Sequence, residues 1–147
     1  MEFYKLAFRT LALVFTLQLS FTSCTPREQI LELTLEKQAI EQPFTLAEYC
    51  KDEYDSIYII FPYDNPETIQ KLPYKMSRRL RNYCSCTSSD SYSTILFINK
   101  GTVEAYSEIT CDKVIFSPPY LSKNAHSFPF KQQFILNNER VANLHNK

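Results

Sequence analysis

The sequence predicts an α+β domain, with N-terminal helices packed on one face of a mostly antiparallel sheet of about 4–6 strands. Two observations carry that expectation. Apolar residues at helical spacing come first, and short β-branched and aromatic runs separated by turn residues follow them. The turn Asn99-Lys100-Gly101 sits between two such runs and is the strongest hairpin signal in the chain.

Taken in order, Pro26–Gln42 has Ile30, Leu33, Leu35 and Ala39 on one side and Glu28, Glu32, Glu36 and Lys37 between them. Thr25 and Pro26 supply an N-cap and a first-turn proline, so the segment reads as a helix. Thr45–Lys51 reads as a further helical turn before the acidic group Asp52, Glu53 and Asp55. Ser56–Phe61 is apolar on both faces and β-branched, the pattern of a buried central strand, and Pro62 stops it. Asn65-Pro66-Glu67 starts a helix that runs to about Lys71. After Pro73, Lys75–Tyr83 resumes as a helix with Lys75, Arg78, Arg79 and Arg81 outward. Tyr92–Ile98 and Thr102–Ile109 form the hairpin, and Lys113–Ser117 adds a short strand. Pro118–Pro129 is a proline-bearing loop. Gln133–Leu136 and Glu139–Leu144 close the chain as a second hairpin around Asn137-Asn138. The expected core includes Ile57, Ile59, Phe61, Leu96, Ile98, Val103 and Ile115.

The N-terminus is an export signal. Lys5 and Arg9 precede the apolar run Leu11–Leu19, and the small polar stretch Ser20-Phe21-Thr22-Ser23 leads into Cys24. An apolar core of about ten residues falls short of the roughly 20 that span a bilayer. Phe21-Thr22-Ser23-Cys24 resembles a bacterial lipobox of the looser Bacteroidetes type, which implies lipidation at Cys24. The expected organisation is a signal peptide over residues 1–23, a lipid-anchored tether and helix over 24–44, and one α+β domain over 45–147. The expected location is the bacterial cell envelope, anchored in the outer membrane and facing the periplasm.

Removing the leader takes away Lys5, Arg9 and Glu2 and leaves 14 basic and 15 acidic residues. That balance gives no electrostatic case for nucleic acid. Gly101 is the sole glycine, which excludes glycine-rich phosphate loops and dinucleotide fingerprints, so no nucleotide or cofactor is expected. With Cys24 acylated, Cys50, Cys84, Cys86 and Cys111 remain, an even set for an oxidising compartment. A Cys84–Cys86 ring would be strained. Cys50 is therefore expected to pair with Cys84 or Cys86, and Cys111 with the other. Cys-x-Cys with two distant partners is not a paired zinc spacing, so no metal site is expected.

Tyr54-Asp55-Ser56-Ile57-Tyr58-Ile59-Ile60-Phe61-Pro62-Tyr63 resembles the aromatic-Asp, strand, Pro-Tyr segment of small uncharacterised bacterial lipoproteins. Thr94–Ile98 and the turn Lys100-Gly101 leading into Thr102–Tyr106 are similar to the later part of those chains. The resemblance implies compartment and fold but no reaction. It draws attention to Asp55 as a cap on a strand or turn and to Tyr63 as a residue packed beside Pro62.

Catalytic constellations are sparse. The two histidines are His126, in the proline loop, and His145, three residues from the C-terminus in the written sequence. Glu104 and Glu108 share a strand face but stand about 13 Å apart at ~3.3 Å per residue, whereas paired glycosidase carboxylates need ~5–9.5 Å. What stands out is tyrosine, with nine in the mature chain. Tyr63, Tyr74, Tyr106 and Tyr120 are the candidates for a binding surface, with Tyr83 also partly exposed, and Arg78, Arg79 and Arg81 form a basic cluster beside them. The expected function is a non-catalytic binding or structural module, held at the membrane by Cys24 and recognising an envelope protein, peptide or glycan. The alternative is a small periplasmic hydrolase using His126 or an acidic pair. A cleft bringing His126 to a serine, cysteine or carboxylate favours the hydrolase, and a tyrosine-lined groove favours the binder.

Overall fold

In the computed structural model, residues 28–86, 91–116 and 126–145 are described, Cys86 through its backbone alone. They form nine strands, β1 (Gln29–Ile30), β2 (Pro43–Thr45), β3 (Ser56–Ile60), β4 (Tyr92–Asn99), β5 (Thr102–Thr110), β6 (Ile115–Phe116), β7 (Ser127–Pro129), β8 (Gln133–Leu136) and β9 (Val141–Leu144). One sheet has the order β1-β5-β4-β3-β7 and the other β2-β8-β9-β6. Most pairings are antiparallel, but β1 runs parallel to β5 and β6 parallel to β9. The α-helices among the described residues are α1 (Pro66–Gln70) and α2 (Arg78–Cys86).

The expected α+β arrangement of N-terminal helices on a single sheet is therefore overturned. The segment predicted as the first helix alternates instead. Leu31, Leu33 and Leu35 turn inward onto the core, while Glu32 and Thr34 point to solvent. That period of two belongs to extended chain. Ile30, assigned to a helix's apolar face, is 66% exposed. After β1 only one turn of 3-10 helix forms, at Leu35–Lys37, and β2 follows directly. Residues 28–44 thus supply β1, a 3-10 turn and the first part of β2 in place of the expected helix. The second expected helical turn does form, as a 3-10 helix at Leu46–Tyr49 with a capping box between Thr45 and Glu48.

Two cores give the molecule three layers. Between the sheets lie Ile57, Ile59, Ile95, Phe97 and Ala105 from one side and Phe44, Phe116, Phe134 and Leu136 from the other. Phe134 is their hub, with ring centroids 5.9 Å from Phe44, 5.7 Å from Phe116 and 6.0 Å from Phe128. The outer face of the first sheet carries Ile60, Leu96, Ile98 and Val103, covered by Ile69 of α1, by Leu72 just after it and by Leu80 and Cys84 of α2. Both faces of β3 and β4 are buried, which is why Ser56–Phe61 reads as continuously apolar. Ile115, an expected core residue, is only partly buried. Val114 and Phe116 take the inward positions, one step out of phase with the expectation.

The hairpin turn Lys100-Gly101 has φ of 48° and 74°, a pair of left-handed residues that matches the twist of the flanking strands. Asp55 holds it from outside, because its Oδ2 accepts the Lys100 N–H at 2.7 Å. A register shift between Phe97 and Ile98 places Ala105 opposite Phe97 but Val103 opposite Ile98, leaving Glu104 as the extra residue. The bulge changes the phase of β5. Val103 and Tyr106, three residues apart, face α2 together.

Candidate functional site

A groove of about 350 Å³ lies where β1 and β5 meet the start of α2, and both tyrosines and charged groups line it. Its floor and walls are Glu28 and Ile30 from the β1 segment, Tyr106 and Glu108 from β5, and Ser77, Arg79 and Tyr83 from the α2 segment. The backbone explains the arrangement. Leu31 N–H donates to Tyr106 O at 2.8 Å, tying β1 to the edge of β5. Ser77 caps α2 by accepting the Leu80 N–H at 3.0 Å on its Oγ. The Ser77 N–H in turn donates to Glu28 Oε1, so the helix start is joined to the strand segment beside it.

Electrostatics inside the groove are uneven. Tyr83 donates its hydroxyl proton to Glu108 Oε1. Burial, then the hydrogen bonds to Glu108 and Tyr92, push the Tyr83 phenol well above its ordinary range. Tyr106 shifts the same way through burial and the Glu108 charge, and its ring centroid is 6.4 Å from that of Tyr83. Neither Glu28 nor Glu108 has an ion-pair partner among the described residues, and neither does Arg79. Beneath them Cys84 is 2% exposed, and burial with the Glu108 charge pushes its thiol up to about 12.

The groove collects some of the residues singled out in the sequence and not others. Tyr106 and Arg79 line it, with Tyr83 between them. Arg78 is exposed elsewhere on α2. Arg81 has a structural role instead. Its Nη1 donates to Gln70 O at 2.9 Å and Leu72 O at 3.1 Å, and its Nη2 to Tyr74 O at 2.7 Å. Tyr74 is half-buried against Tyr58, with an edge-on contact at 5.7 Å. Tyr63 is 74% exposed at φ 67° in the turn after β3. Tyr120 and Cys24 lie outside the described residues. The helix expected over Pro26–Gln42 hides the edge-strand segment that carries Glu28 and Ile30, and the helix expected over Lys75–Tyr83 hides the capping position of Ser77.

Neither expected pairing of Cys50 is formed among the described residues. Cys50 and Cys84 are free thiols. Cys50 packs against the core between the sheets and Cys84 against the core under the helices, so the first sheet separates them. Both expected connectivities use Cys50, whose Sγ instead donates to Leu46 O at 3.4 Å. Cys86's side chain is outside the described residues. No group of three or more metal-ligating side chains occurs among the described residues.

The other cluster surrounds His126. Its Nδ1 lies 3.0 Å from Ile59 O and 3.4 Å from Asp64 Oδ2. Both are acceptors, so the tautomer with its proton on Nδ1 suits them and leaves Nε2 as the acceptor nitrogen. Asp64 Oδ2 also accepts the Phe61 N–H at 2.8 Å, and burial raises its carboxyl above the ordinary carboxylate range. The imidazole is stacked on Tyr58 at 5.3 Å and tilted on Phe61 at 4.8 Å. This is an oriented Asp–His pair, but no serine or cysteine is hydrogen-bonded to it among the described residues. The acidic pair is also divided: Glu104 accepts from Asn99 Nδ2 at 3.4 Å, while Glu108 meets Tyr83.

No helix among the described residues is long and apolar enough to cross a membrane. No family model matches this chain, and neither a curated protein nor a solved structure does.

Proposed function

We propose that this chain is an envelope lipoprotein whose folded domain is a non-catalytic binding module, anchored through lipidated Cys24, with the β1–β5–α2 groove as its ligand site. The groove itself carries the reading. It is concave, lined by two tyrosines, and holds charges of both signs without internal ion pairs. Tyrosine supplies broad, rigid contact area with a polar end, which suits recognition. The anchoring half of the reading rests on the charged start, short apolar run and Cys24 junction of the sequence.

The hydrolase reading has one observation in its favour, the oriented Asp64–His126 pair. Nucleophilic catalysis also needs a nucleophile within hydrogen-bond reach of the base, and the imidazole instead packs against the rings of Tyr58 and Phe61. Its packing is that of a structural bridge between β3 and the start of β7.

Affinity capture from native envelopes, run side by side with wild type and Tyr106→Ala, tests the assignment. Components retained by wild type and lost with the groove variant are expected. An identical set from both, or an ester- or peptide-hydrolysing activity that disappears in His126→Ala, overturns it.

A further inference from the structure

We propose that the groove seats the head group of a zwitterionic phospholipid, with its primary ammonium on Glu28 and Glu108 and its phosphate on Arg79. The inference rests on the anchored-module reading and names the ligand of that site.

Charge complementarity is the first support. Two carboxylates and one guanidinium line one cavity, none of them ion-paired among the described residues. A simple anion meets two like charges there, and a simple cation meets Arg79. A ligand bearing both signs satisfies all three. Each carboxylate has about four acceptor positions. Ser77 N–H and Tyr83 O–H each occupy one, at Oε1 of Glu28 and Glu108. The remaining oxygens can accept the three donors of a primary ammonium, and the Tyr83 and Tyr106 rings add cation–π surface. Arg79 offers the planar donor fork that suits phosphate.

Position is the second support. Glu28 is four residues beyond Cys24. At 3.3–3.6 Å per residue, even fully extended chain keeps it within about 14 Å of the acylated cysteine. A domain that folds from residue 28 onward cannot hold this groove far from the lipid surface. Ile30 lines the same groove and is 66% exposed, an apolar group suited to the head-group boundary. A basic peptide would answer the carboxylates but would leave Arg79 facing a like charge, with no use for the membrane's proximity.

The test uses the chain from residue 24 onward, which contains every described element, with Cys24→Ser so that no acyl chain contributes. It is sedimented with vesicles of phosphatidylcholine alone, phosphatidylcholine with phosphatidylethanolamine, and phosphatidylcholine with phosphatidylglycerol. About tenfold stronger retention on the phosphatidylethanolamine vesicles is expected, equivalent to ~1.4 kcal/mol. Arg79→Ala and Glu108→Gln, each checked by urea midpoint, should each return it to the phosphatidylcholine level. In solution, O-phosphoethanolamine should shift the amide resonances of Ser77, Arg79 and Tyr106. Equal retention on all three vesicles overturns the proposal. Preference for phosphatidylglycerol overturns it too, and so does binding of lysine peptides without vesicle retention. The intact mass of the native, membrane-extracted chain reads anchoring separately. An acylated Cys24 without phosphatidylethanolamine preference removes the head-group assignment alone. An unacylated Cys24 with the preference intact removes the anchoring alone.

Discussion

Replacing Arg81 with alanine should unfold the helix layer's support rather than a binding surface. The guanidinium makes three hydrogen bonds of 2.7–3.1 Å to the carbonyls of Gln70, Leu72 and Tyr74, with a longer fourth to Ile69 O at 3.5 Å. The carbonyls of Gln70, Leu72 and Tyr74 lie at and beyond the C-terminal end of α1, where orphan carbonyls need donors and cations are favoured. A hydrogen bond to a charged group contributes about 1.5–3 kcal/mol. Arg81 is only half-buried, so water replaces part of that when the side chain is removed. A net loss of about 2–4 kcal/mol follows from three such bonds that are not additive. Because Leu72 and Ile69 cap the outer core, the loss should also loosen their packing on β4.

Urea unfolding followed by circular dichroism reads this directly. With m near 1–3 kcal/mol/M, the Arg81→Ala midpoint should fall by about 1 M or more. Arg81→Lys should recover part of the loss, since an ammonium keeps the charge but not the two-pronged geometry. An unfolding free energy within about 0.5 kcal/mol of wild type, the range of ordinary surface substitutions, would refute the clamp. If Arg81→Ala kept wild-type stability and lost ligand, Arg81 would belong to the binding surface.

Further outcomes follow from other contacts. Arg140 donates from Nη2 to Leu35 O at 2.8 Å and from Nε to Lys113 O, bridging the N-terminal segment to the start of β6. Arg140→Ala should cost about 2–3 kcal/mol and raise amide exchange across residues 31–38, and unchanged exchange there would discount the bridge. The raised Asp64 carboxyl means the folded state keeps a proton that the unfolded chain has released, so this group costs stability as pH climbs from 3.8 through its folded value. Asp64→Asn retains an oxygen for the Phe61 N–H, and its urea midpoint relative to wild type should rise across that window; a constant or falling difference contradicts it. Ser107 Oγ is buried without a hydrogen-bond partner among the described residues, so Ser107→Ala should leave stability unchanged or raise it by about 1 kcal/mol. A clear loss would show that the hydroxyl is bonded. Without reductant, iodoacetamide should label Cys50 and Cys84 fully in urea, and Cys84 hardly at all in the folded chain, where it is 2% exposed with its thiol pushed up to about 12. Recovery of either in a disulfide-linked peptide would contradict the arrangement.

How far the sequence discloses this fold depends on where each pattern gets its cause. β3, the β4–β5 hairpin and the closing β8–β9 pair are written locally, in β-branched runs and in turns whose residues match the backbone they need. The N-terminal segment is different. Leu33 and Leu35 fit either a helical or an alternating template, and only pairing with β5, some 76 residues away in sequence, settles the matter for Gln29 and Ile30. Tertiary contact outweighs the weak helical preference of that segment. The groove inherits the same problem. It joins Glu28, Ser77 and Glu108, three positions that no spacing rule connects. Tyr106 and Arg79 were legible as residue types suited to recognition. The partners that make them a site were not, because a parallel edge strand of two residues leaves almost no local trace. The sequence does carry one signal for that edge: Leu31, Leu33 and Leu35 recur at every second position and leave Ile30 facing outward, out of helical phase.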